Sequence, residues 1–308
     1  MTGFSFRLLA VLAAFIAAIM PSVAFAQLGQ PAPGQIGFQE SVTPIMDSVV
    51  AFHDGLLMWI ITGIVLLVLG LLIWVIVRYN HRANPVPSKV THHTLVEVVW
   101  TVVPILILIV IAIPSFGVLA DQETTPDGER AYLGAAIFSG GDAQVPAPSV
   151  TIKATGNQWS WDYEYMDDGF AFNSLMLDEE ERLASKPDHP RLLAVNNEIV
   201  VPVDTTVRVL VTASDVIHSF AVPSFGIKAD AVPGRNNETW FHARRTGMFF
   251  GQCSELCGMD HAFMPIAVRV VEQEEYDAWL EMASGGDLAA ANQMFAEAEP
   301  AGGDADAI

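Results

Sequence analysis

The sequence predicts a hairpin of two transmembrane helices followed by an all-β outer domain. Three observations lead to this fold class. The 308 residues are 52% hydrophobic and only 16% charged, which is too apolar for an ordinary soluble domain. Two long uncharged runs lie in the first half of the chain. The second half contains short runs of alternating apolar and polar residues, separated by Gly, Pro and Asn, which favour a β-sandwich or a small barrel.

Residues 1–26 are typical of a signal peptide. Arg7 precedes an apolar run, and Ala24 and Ala26 provide a small-residue cleavage site. The apolar run is too short to cross a bilayer comfortably, which weakens the alternative of a third membrane helix. We therefore expect the mature chain to begin at Gln27, with residues 27–55 forming an outer N-terminal lead.

Residues 56–78 and 97–120 are the predicted membrane helices. Each contains an apolar stretch that can cross about 30 Å of hydrocarbon at about 1.5 Å per residue. The loop between them, residues 79–96, carries Arg82 and Lys89. Basic residues in a short loop place it in the cytoplasm, so the chain on both sides of the hairpin faces outwards.

Residues 121–282 form the predicted outer domain, and residues 283–308 a disordered tail. The outer segment is long enough for one hydrophobic core. The tail is rich in Ala, Gly and acidic residues and has few large apolar side chains. The predicted strands of the outer domain are residues 150–154, 160–165, 198–202, 206–213, 218–222, 238–243 and 265–271.

The formal net charge of the chain is −20, from 35 acidic and 15 basic residues. This excess of acid argues against a nucleic-acid partner. An acidic surface would instead steer a basic protein towards the chain and raise its association rate. The alternative is that the acidic residues only keep an exported protein soluble.

Soft metal ligands converge on one segment near the end of the outer domain. It contains the only two cysteines, Cys253 and Cys257, followed by His261 and Met264, and His218 lies upstream. Thiolate, imidazole and thioether ligands select copper, zinc or iron–sulfur over magnesium or calcium. A blue-copper centre uses two His, one Cys and a weak Met, so a second Cys allows two copper ions bridged by two sulfurs.

Two simpler interpretations compete with copper. An exported protein with two cysteines most often forms one structural disulfide. A structural zinc site would use Cys and His but has no use for Met264. The convergence of all the soft ligands on one short loop, followed at once by a strand, favours the copper interpretation.

This segment, with the motifs below, resembles subunit II of the haem–copper cytochrome c oxidases, of the bacterial aa3-like type close to mitochondria. The resemblance covers about residues 40–280. It implies a cupredoxin-like Greek-key domain that holds a dinuclear copper centre, CuA, in the periplasm of a bacterial inner membrane. It also implies that electrons from cytochrome c pass to haem in subunit I, where oxygen is reduced to water and protons are pumped. The implied partners are subunit I and other oxidase subunits, cytochrome c and membrane lipid.

An aromatic-rich run lies near the start of the outer domain. Strand alternation places Trp159, Trp161, Tyr163 and Tyr165 on one face, most of which is expected to be core. The resemblance implies that Trp159 lies exposed above the copper, where electrons from cytochrome c enter. It also implies a docking surface of acids, whose role is orientation and rate rather than affinity. The candidate docking residues are Glu164, Asp167, Asp168 and Asp215.

The resemblance gives roles to four further residues. Glu255 would ligate one copper through its backbone carbonyl and a magnesium ion at the boundary with subunit I through its carboxylate. Asp230 and Arg235, in a charged, turn-rich run, would contact subunit I. Glu97 would lie at the entrance of a proton path into subunit I, although a carboxylate at this position can also simply cap the helix start.

Two features depart from the family pattern. Asn196 stands where relatives close to mitochondria carry an acid, and residues 177–191 form a longer, acidic loop. The docking footprint and the particular cytochrome c therefore stay open.

Three other functions fit part of the sequence. The quinol-oxidase version of this subunit is a membrane-anchored domain that lacks these cysteines. The copper domain of a nitrous oxide reductase has no paired transmembrane helices. A copper chaperone would need an exposed thiol pair rather than two His and a Met. The haem-fused version of the subunit is excluded, because no Cys-x-x-Cys-His motif follows the copper segment.

Overall fold

The computed structural model describes residues 28–129 and 144–298, with the backbone alone for residues 296–298. Two long apolar helices precede a two-sheet β domain, so the predicted fold class is confirmed. The predicted signal peptide lies outside the described residues, as does the end of the predicted tail from residue 299.

The two membrane helices extend beyond their predicted bounds. Helix α1 (Pro44–Phe52) continues through a π-helical turn (His53–Leu57) into α2 (Met58–Arg78). Thr43 caps α1, because its side chain accepts a backbone hydrogen bond from the first turn. The second helix, α3, spans Thr94–Glu123. Both helices are long and apolar enough to cross a membrane.

The outer ends of these helices are embedded in the β domain. The Trp240 indole donates a hydrogen bond to the Asp121 carbonyl of α3 at 2.9 Å. Met46 of α1 packs so closely on Gly226 that a Cβ at the glycine would lie 2.8 Å from the Met46 Cα. The extra helical turns therefore belong to a buried junction between the membrane hairpin and the outer domain, which explains why hydropathy alone does not predict them.

The described part of the outer domain is a sandwich of two five-stranded sheets. The strands are β1 (Val150–Asn157), β2 (Ser160–Tyr165), β3 (Phe170–Ser174), β4 (Ile199–Pro202), β5 (Thr205–Ala213), β6 (His218–Val222), β7 (Ile227–Ala231), β8 (Asn237–Ala243), β9 (Gly247–Cys253) and β10 (Pro265–Val271). The sheet orders are β3-β2-β1-β5-β8 and β4-β10-β9-β6-β7. Strands β1 and β5 pair in parallel, as do β4 and β10, and the other pairs are antiparallel.

Strand β7 corrects one prediction. Residues 228–235 were predicted as a turn-rich loop, but Ile227–Ala231 pairs antiparallel with β6. Ile227 and Ala231 are buried while Lys228 and Asp230 are exposed, so the charged residues occupy the solvent face of a strand. The turn before it depends on Gly226, whose φ is +71°.

Three short helices lie outside the sandwich. Helix α4 (Glu179–Ser185) occupies the longer acidic loop, where Asp178 forms a capping box. Helices α5 (Gln273–Ser284) and α6 (Leu288–Ala298) follow the last strand. They show where tertiary contacts order segments that composition alone does not predict as structured.

The predicted disordered tail is wrong for residues 288–298, which form α6. Ala291 and Phe295 of this helix are buried against the domain. Asn292 accepts a hydrogen bond from the Trp279 indole at 3.1 Å and donates one to Asn197 at 3.0 Å. The few large residues of the segment recur at helical spacing on one face, so they suffice to dock it.

Candidate metal centre

Strands β6 and β9 bring the first two predicted ligands together. His218 begins β6 and Cys253 ends β9, and Phe220 lies opposite Cys253 in the antiparallel pairing. The Nδ1 atom of His218 lies 3.9 Å from the Cys253 Sγ, and both side chains are buried. The centre is therefore anchored in a sheet and not only in a loop.

The loop after β9 supplies the other donor atoms. The Cys257 Sγ lies 3.9 Å from the Cys253 Sγ, 3.5 Å from the His261 Nδ1 and 3.6 Å from the Met264 Sδ. The backbone carbonyl of Glu255 lies 3.3 Å from the Cys253 sulfur. With His218, all five side chains predicted as copper ligands meet in one cluster.

The cluster fits copper better than a disulfide or a structural zinc. A disulfide needs sulfur atoms about 2.05 Å apart, whereas the two thiols are free and 3.9 Å apart. A metal–thiolate bond is about 2.3 Å long, so one ion can bond both sulfurs at their present spacing. The thioether of Met264 beside Cys257 is a ligand for copper, and structural zinc sites do not use it.

Two glycines make room for the ligands. A Cβ on Gly156 of β1 would lie 2.8 Å from the His218 ring. Gly258 has φ +130°, and a Cβ there would lie 3.0 Å from the Trp159 indole. The Trp159 Nε1 atom is buried and has no hydrogen-bond partner among the described residues. A buried donor beside the Cys257 loop suits a site in which the sulfur carries negative charge, as a metal-bound thiolate does.

The pKa of the Cys257 thiol is raised to about 12. Burial is the largest cause, and the neighbouring Cys253 adds to it. The Trp159 indole opposes the rise, although its geometry is not that of a full hydrogen bond. A thiol with such a pKa stays protonated near neutral pH, so a bound cation is needed to stabilise the thiolate form.

Asp215 and Gln158 support the ligands from outside. The Asp215 Oδ1 lies 2.9 Å from the His218 Nε2, and its Oδ2 accepts the Gln158 backbone N–H at 2.7 Å. The Gln158 side chain donates to the Cys257 carbonyl at 2.8 Å. A carboxylate on the second ring nitrogen fixes the tautomer that leaves Nδ1 free for a metal. No spacing or composition pattern in the sequence points to Gln158.

Trp159 does not share the strand face predicted for it. Strand β2 begins at Ser160, and Trp161, Tyr163 and Tyr165 point into the core and are fully buried. Trp159 precedes the strand, in the turn from β1, and is half-buried against the metal-binding loop. Its ring therefore reaches both solvent and the loop that carries the sulfur ligands.

The four predicted docking acids do not form one group. Asp215 contacts the ligand His218, and Glu164 lies on the solvent face of β2, 3.5 Å from Lys153. Asp167 and Asp168 follow the other end of β2 from Trp159. At about 3.4 Å per residue, the length of β2 separates these two acids from Trp159 by about 17 Å.

The remaining predicted residues lie in three other places. The side chain of Glu255 is exposed beside the metal ligands. Asp230 and Arg235 are exposed and line a cleft of about 750 Å³ beside the outer end of α3. Glu97 lies in the first turn of α3, where its carboxylate accepts the His93 backbone N–H at 3.1 Å. The capping role expected for Glu97 is therefore present, and the proton-path role stays a prediction.

Comparison with known proteins indicates one family for both the membrane helices and the outer domain. Residues 31–118 match the family described as the transmembrane domain of cytochrome c oxidase subunit II, and residues 150–271 match its periplasmic domain. The probable cytochrome c oxidase subunit 2 of Rickettsia bellii (strain RML369-C) is 48% identical over 257 residues, which cover 83% of this chain and 87% of that protein. The chain belongs to the cytochrome c oxidase subunit II family.

Other subunit II proteins are similar over comparable lengths. Cytochrome c oxidase subunit 2 of Cereibacter sphaeroides is 42% identical over 274 residues, which cover 84% of each chain. The crystal structure of the periplasmic domain of subunit II from Bradyrhizobium japonicum is 58% identical, covers 46% of this chain and 97% of that chain, and superposes with a TM-score of 0.42.

Membership of the subunit II family makes this chain a subunit of a haem–copper terminal oxidase, with two membrane spans and a periplasmic domain. The predicted family and function are thus confirmed, and the nitrous oxide reductase and chaperone alternatives do not fit. The His, Cys and Met cluster is consistent with a CuA copper site. An intact cysteine pair also distinguishes the chain from the quinol-oxidase version of the subunit.

Proposed function

We propose that this chain is the electron-accepting subunit of a proton-pumping cytochrome c oxidase in a bacterial inner membrane. The proposal is carried by one observation, the convergence of two thiols, two imidazoles and a thioether on one cluster of the outer domain. Copper supplies one-electron redox chemistry when bound there. Oxygen reduction and proton pumping belong to subunit I, so the isolated chain transfers electrons without reducing oxygen.

The ligands would hold the two copper ions of a CuA centre. Cys253 and Cys257 would hold the ions through their two sulfurs, together with His218 and His261, each of which presents Nδ1 to one sulfur. The thioether of Met264 would complete one ion, and the carbonyl of Glu255 would complete the other. Four of the five side chains are buried, and His218 and Cys253 lie in strands, which limits their movement when the charge of the site changes.

Cytochrome c would dock over Trp159. The half-buried indole reaches from the surface to the metal-binding loop, so it offers a route for electrons into the site. The loops that carry the ligands also expose large apolar side chains, as the centre of a protein interface does. These are Val216, Ile217, Leu256, Met259 and Phe263. The acids Glu164, Asp167, Asp168 and Asp215 would steer a basic partner, those nearer Trp159 more strongly.

A second surface of the outer domain would face subunit I. Asp230 and Arg235 line the cleft beside α3 and would contact a partner subunit close to the membrane. The exposed carboxylate of Glu255 is a hard oxygen ligand that suits magnesium, which we place at the same boundary. Electrons would leave the site towards haem in subunit I on this side.

Glu97 would contribute to proton uptake at the cytoplasmic face. It is half-buried in the first turn of α3. Placing a carboxylate near the hydrocarbon of a membrane costs free energy, so such a residue often has a function. Replacing it by glutamine in the assembled oxidase should lower turnover while leaving the copper spectrum unchanged. Unchanged turnover would leave Glu97 with its capping role alone.

Metal analysis and spectroscopy of the purified full chain test the copper proposal. After reduction and addition of copper, we expect about two copper ions per chain and an electron-spin spectrum of one unpaired electron shared between them. A colourless product with the two sulfurs joined would support the disulfide interpretation, and a zinc-selective site would support the zinc interpretation. Either result would overturn the proposal.

Two methionines provide a matched pair of variants. Met264 is buried beside Cys257, whereas Met259 is 83% exposed in the same loop. Met264→Leu should change the absorption spectrum and the reduction potential, because it removes a ligand. Met259→Leu should leave both unchanged. Equal effects of the two substitutions would show that Met264 acts only through packing.

A further inference from the structure

The cytoplasmic end of the hairpin carries basic side chains that have no acidic partner. Arg78, Arg82 and Lys89 form no ion pair with any described residue, and residues 79–96 contain neither Asp nor Glu. By contrast, Arg244 at the outer junction pairs with Asp47 at 2.6 Å. Although the chain has a net charge of −20, this loop carries only basic charged residues.

A cavity of about 560 Å³ lies at the end of α2 within this basic region. Its walls combine interfacial aromatic rings, a guanidinium and an amide. The Arg78 guanidinium lies over the Trp74 ring, 5.4 Å from its centroid, and both Trp74 and Tyr79 are more than half exposed. The lining residues are Trp74, Val77, Arg78, Tyr79, Ala83 and Asn84.

The free carbonyl groups at a helix C-terminus carry partial negative charge and repel anions. Asn80 reduces this repulsion at the end of α2. Its side-chain amide donates to the carbonyls of Ile76 and Val77, both at 3.0 Å. Its Oδ1 accepts the backbone N–H groups of Arg82 and Ala83, also at 3.0 Å. The capped carbonyls no longer point freely at the cavity, so the charge of Arg78 dominates there.

We propose that this cavity binds the headgroup phosphate of an anionic phospholipid from the cytoplasmic leaflet. Arg78 would bond the phosphate, and stacking on Trp74 holds its guanidinium in place. Asn84 also lines the cavity, and its side chain offers an amide donor. Trp74 and Val77 face the depth at which the glycerol and the first acyl carbons lie, which matches the interfacial preference of tryptophan. The source is a lipid because the cavity opens at the membrane end of a spanning helix.

Binding of defined lipids to the purified full chain tests this site. Native mass spectrometry of the chain in detergent, titrated separately with phosphatidylglycerol, cardiolipin, phosphatidylcholine and inorganic phosphate, compares the candidate ligands directly. We expect either anionic lipid to bind more tightly than phosphatidylcholine, and inorganic phosphate to compete weakly. Equal binding of phosphatidylcholine would overturn the proposal. Inorganic phosphate binding as tightly as the anionic lipids would assign the cavity to free phosphate instead.

Matched variants separate a built site from general attraction to a charged surface. Arg78→Gln should weaken binding of the anionic lipid about fivefold, because one juxtamembrane charge is lost. Lys89→Gln makes the same charge change at the same end of the hairpin but does not line the cavity, and should have less than a twofold effect. Equal losses in the two variants would reduce the effect to diffuse surface charge and overturn the proposal.

A second substitution and the assembled oxidase complete the test. Trp74→Leu leaves the charge unchanged but removes the ring beneath Arg78, so it should also weaken anionic lipid binding. An unchanged affinity in this variant would contradict the proposed geometry. The Arg78→Gln effect should persist in the assembled oxidase. Its loss there would show that another subunit, and not lipid, fills the cavity.

Discussion

The position of His218 is determined by three neighbours that are not metal ligands. Gly156 leaves room for the ring on one side, where a Cβ would clash. Asp215 holds Nε2, and the Trp161 ring lies edge-on with its centroid 6.1 Å away. Together they direct Nδ1 towards Cys253. A ligand held in this way is preorganised for a metal, because its rotamer is fixed before binding.

The first prediction concerns Gly156. In the variant Gly156→Ala, the new methyl group would lie 2.8 Å from the His218 ring and displace it. We expect copper affinity to fall by at least about tenfold, the lower end of the effect of disturbed ligand orientation. Copper titration followed by absorption spectroscopy measures this change.

The control for this variant is Gly37→Ala, because no atom lies within 4 Å of the position a Cβ would take at Gly37. The control should bind copper like the parent protein. Normal copper affinity in Gly156→Ala would mean that the domain relaxes around the added carbon and that the His218 position is not tightly held.

The second prediction separates two roles for Asp215. If the carboxylate holds His218, then Asp215→Ala should weaken copper binding about 10- to 100-fold. Asp215→Asn keeps one acceptor oxygen, so its copper affinity should lie between those of the parent protein and Asp215→Ala. The matched control is Glu164→Gln, since Glu164 contacts Lys153 and no ligand. A normal copper site in Asp215→Ala with slower reaction with cytochrome c at low salt would assign the aspartate to docking instead.

At the scale of elements, a buried charge cluster joins the acidic loop to the sandwich. Glu198, just before β4, contacts Lys186 after α4 at 2.5 Å and Arg269 of β10 at 2.7 Å. Its side chain is only 5% exposed. Burial by itself would raise the pKa of Glu198, but Arg269 and Lys186 outweigh it and lower the pKa to about 2. The Glu198 carboxylate thus links the ends of α4 and β4 to β10.

The third prediction follows from this pKa. Because the pKa of Glu198 is lower in the folded chain, its carboxylate contributes stability above about pH 4.5, and this contribution is lost as the pH falls towards 2. At pH 7, Glu198→Gln should lower the free energy of unfolding by about 3–5 kcal/mol, because it removes the carboxylate that pairs with the largely buried Lys186 and Arg269. The difference from the parent protein should shrink as the pH falls below 4.5.

Denaturant unfolding of the purified chain at several pH values, followed by tryptophan fluorescence, checks this result. Glu180→Gln is the control, because Glu180 is exposed on α4. It should change the stability by less than about 0.5 kcal/mol. A Glu198 effect that is independent of pH would contradict the ionised, paired state of the side chain.

The sequence predicts elements well where local patterns are strong. Strands β2 and β10 have the predicted bounds, because alternating or continuous apolar residues mark them. Strand β9 is missed because its Gly-Met-Phe-Phe-Gly run does not alternate and contains two glycines, which are depleted in strands, even though Phe favours them. Helix α6 and the outer turns of α1 depend on tertiary contacts, which no local window contains.

The metal site also has parts that the sequence predicts and parts that it does not. The five proposed ligand side chains are predictable from their chemistry, because four soft donors cluster in one short segment and His218 lies upstream at the start of a strand. The supporting contacts are not, because Gln158 and Cys257 are 99 residues apart in sequence and meet only through the sandwich. Strand alternation includes Trp159 in β2, whereas the strand starts one residue later and Trp159 lies in the preceding turn, partly buried against the same core.

On the scale of the whole molecule, charge is divided between the two ends. The chain carries a net charge of −20, whereas the loop between the membrane helices is basic. The acidic excess therefore lies mainly on the periplasmic side, where the field can attract a basic electron carrier. Exposed charges separated by more than about 8 Å are largely screened at physiological ionic strength.

The fourth prediction concerns this field. In the assembled oxidase, the second-order rate of reaction with a basic cytochrome c should fall about tenfold or more as ionic strength rises from low to physiological. Glu164→Gln should lower the low-salt rate more than Asp167→Asn, because Asp167 lies three residues further from Trp159, beyond the end of β2, and accepts the Thr151 N–H. Stopped-flow kinetics across a salt series measures both effects. A larger effect of Asp167→Asn would move the docking surface to the far end of the strand.

The buried junction between the hairpin and the sandwich has a mechanical consequence. The Trp240 contact with α3 and the close packing of Met46 on Gly226 fasten the periplasmic domain to both spans. The periplasmic domain therefore keeps a fixed position relative to the membrane helices and does not move about a flexible linker. Its height above the bilayer is therefore constant, so under the proposed function the mobile carrier would have to diffuse to it, and the onward path into the neighbouring subunit would keep one length through every turnover.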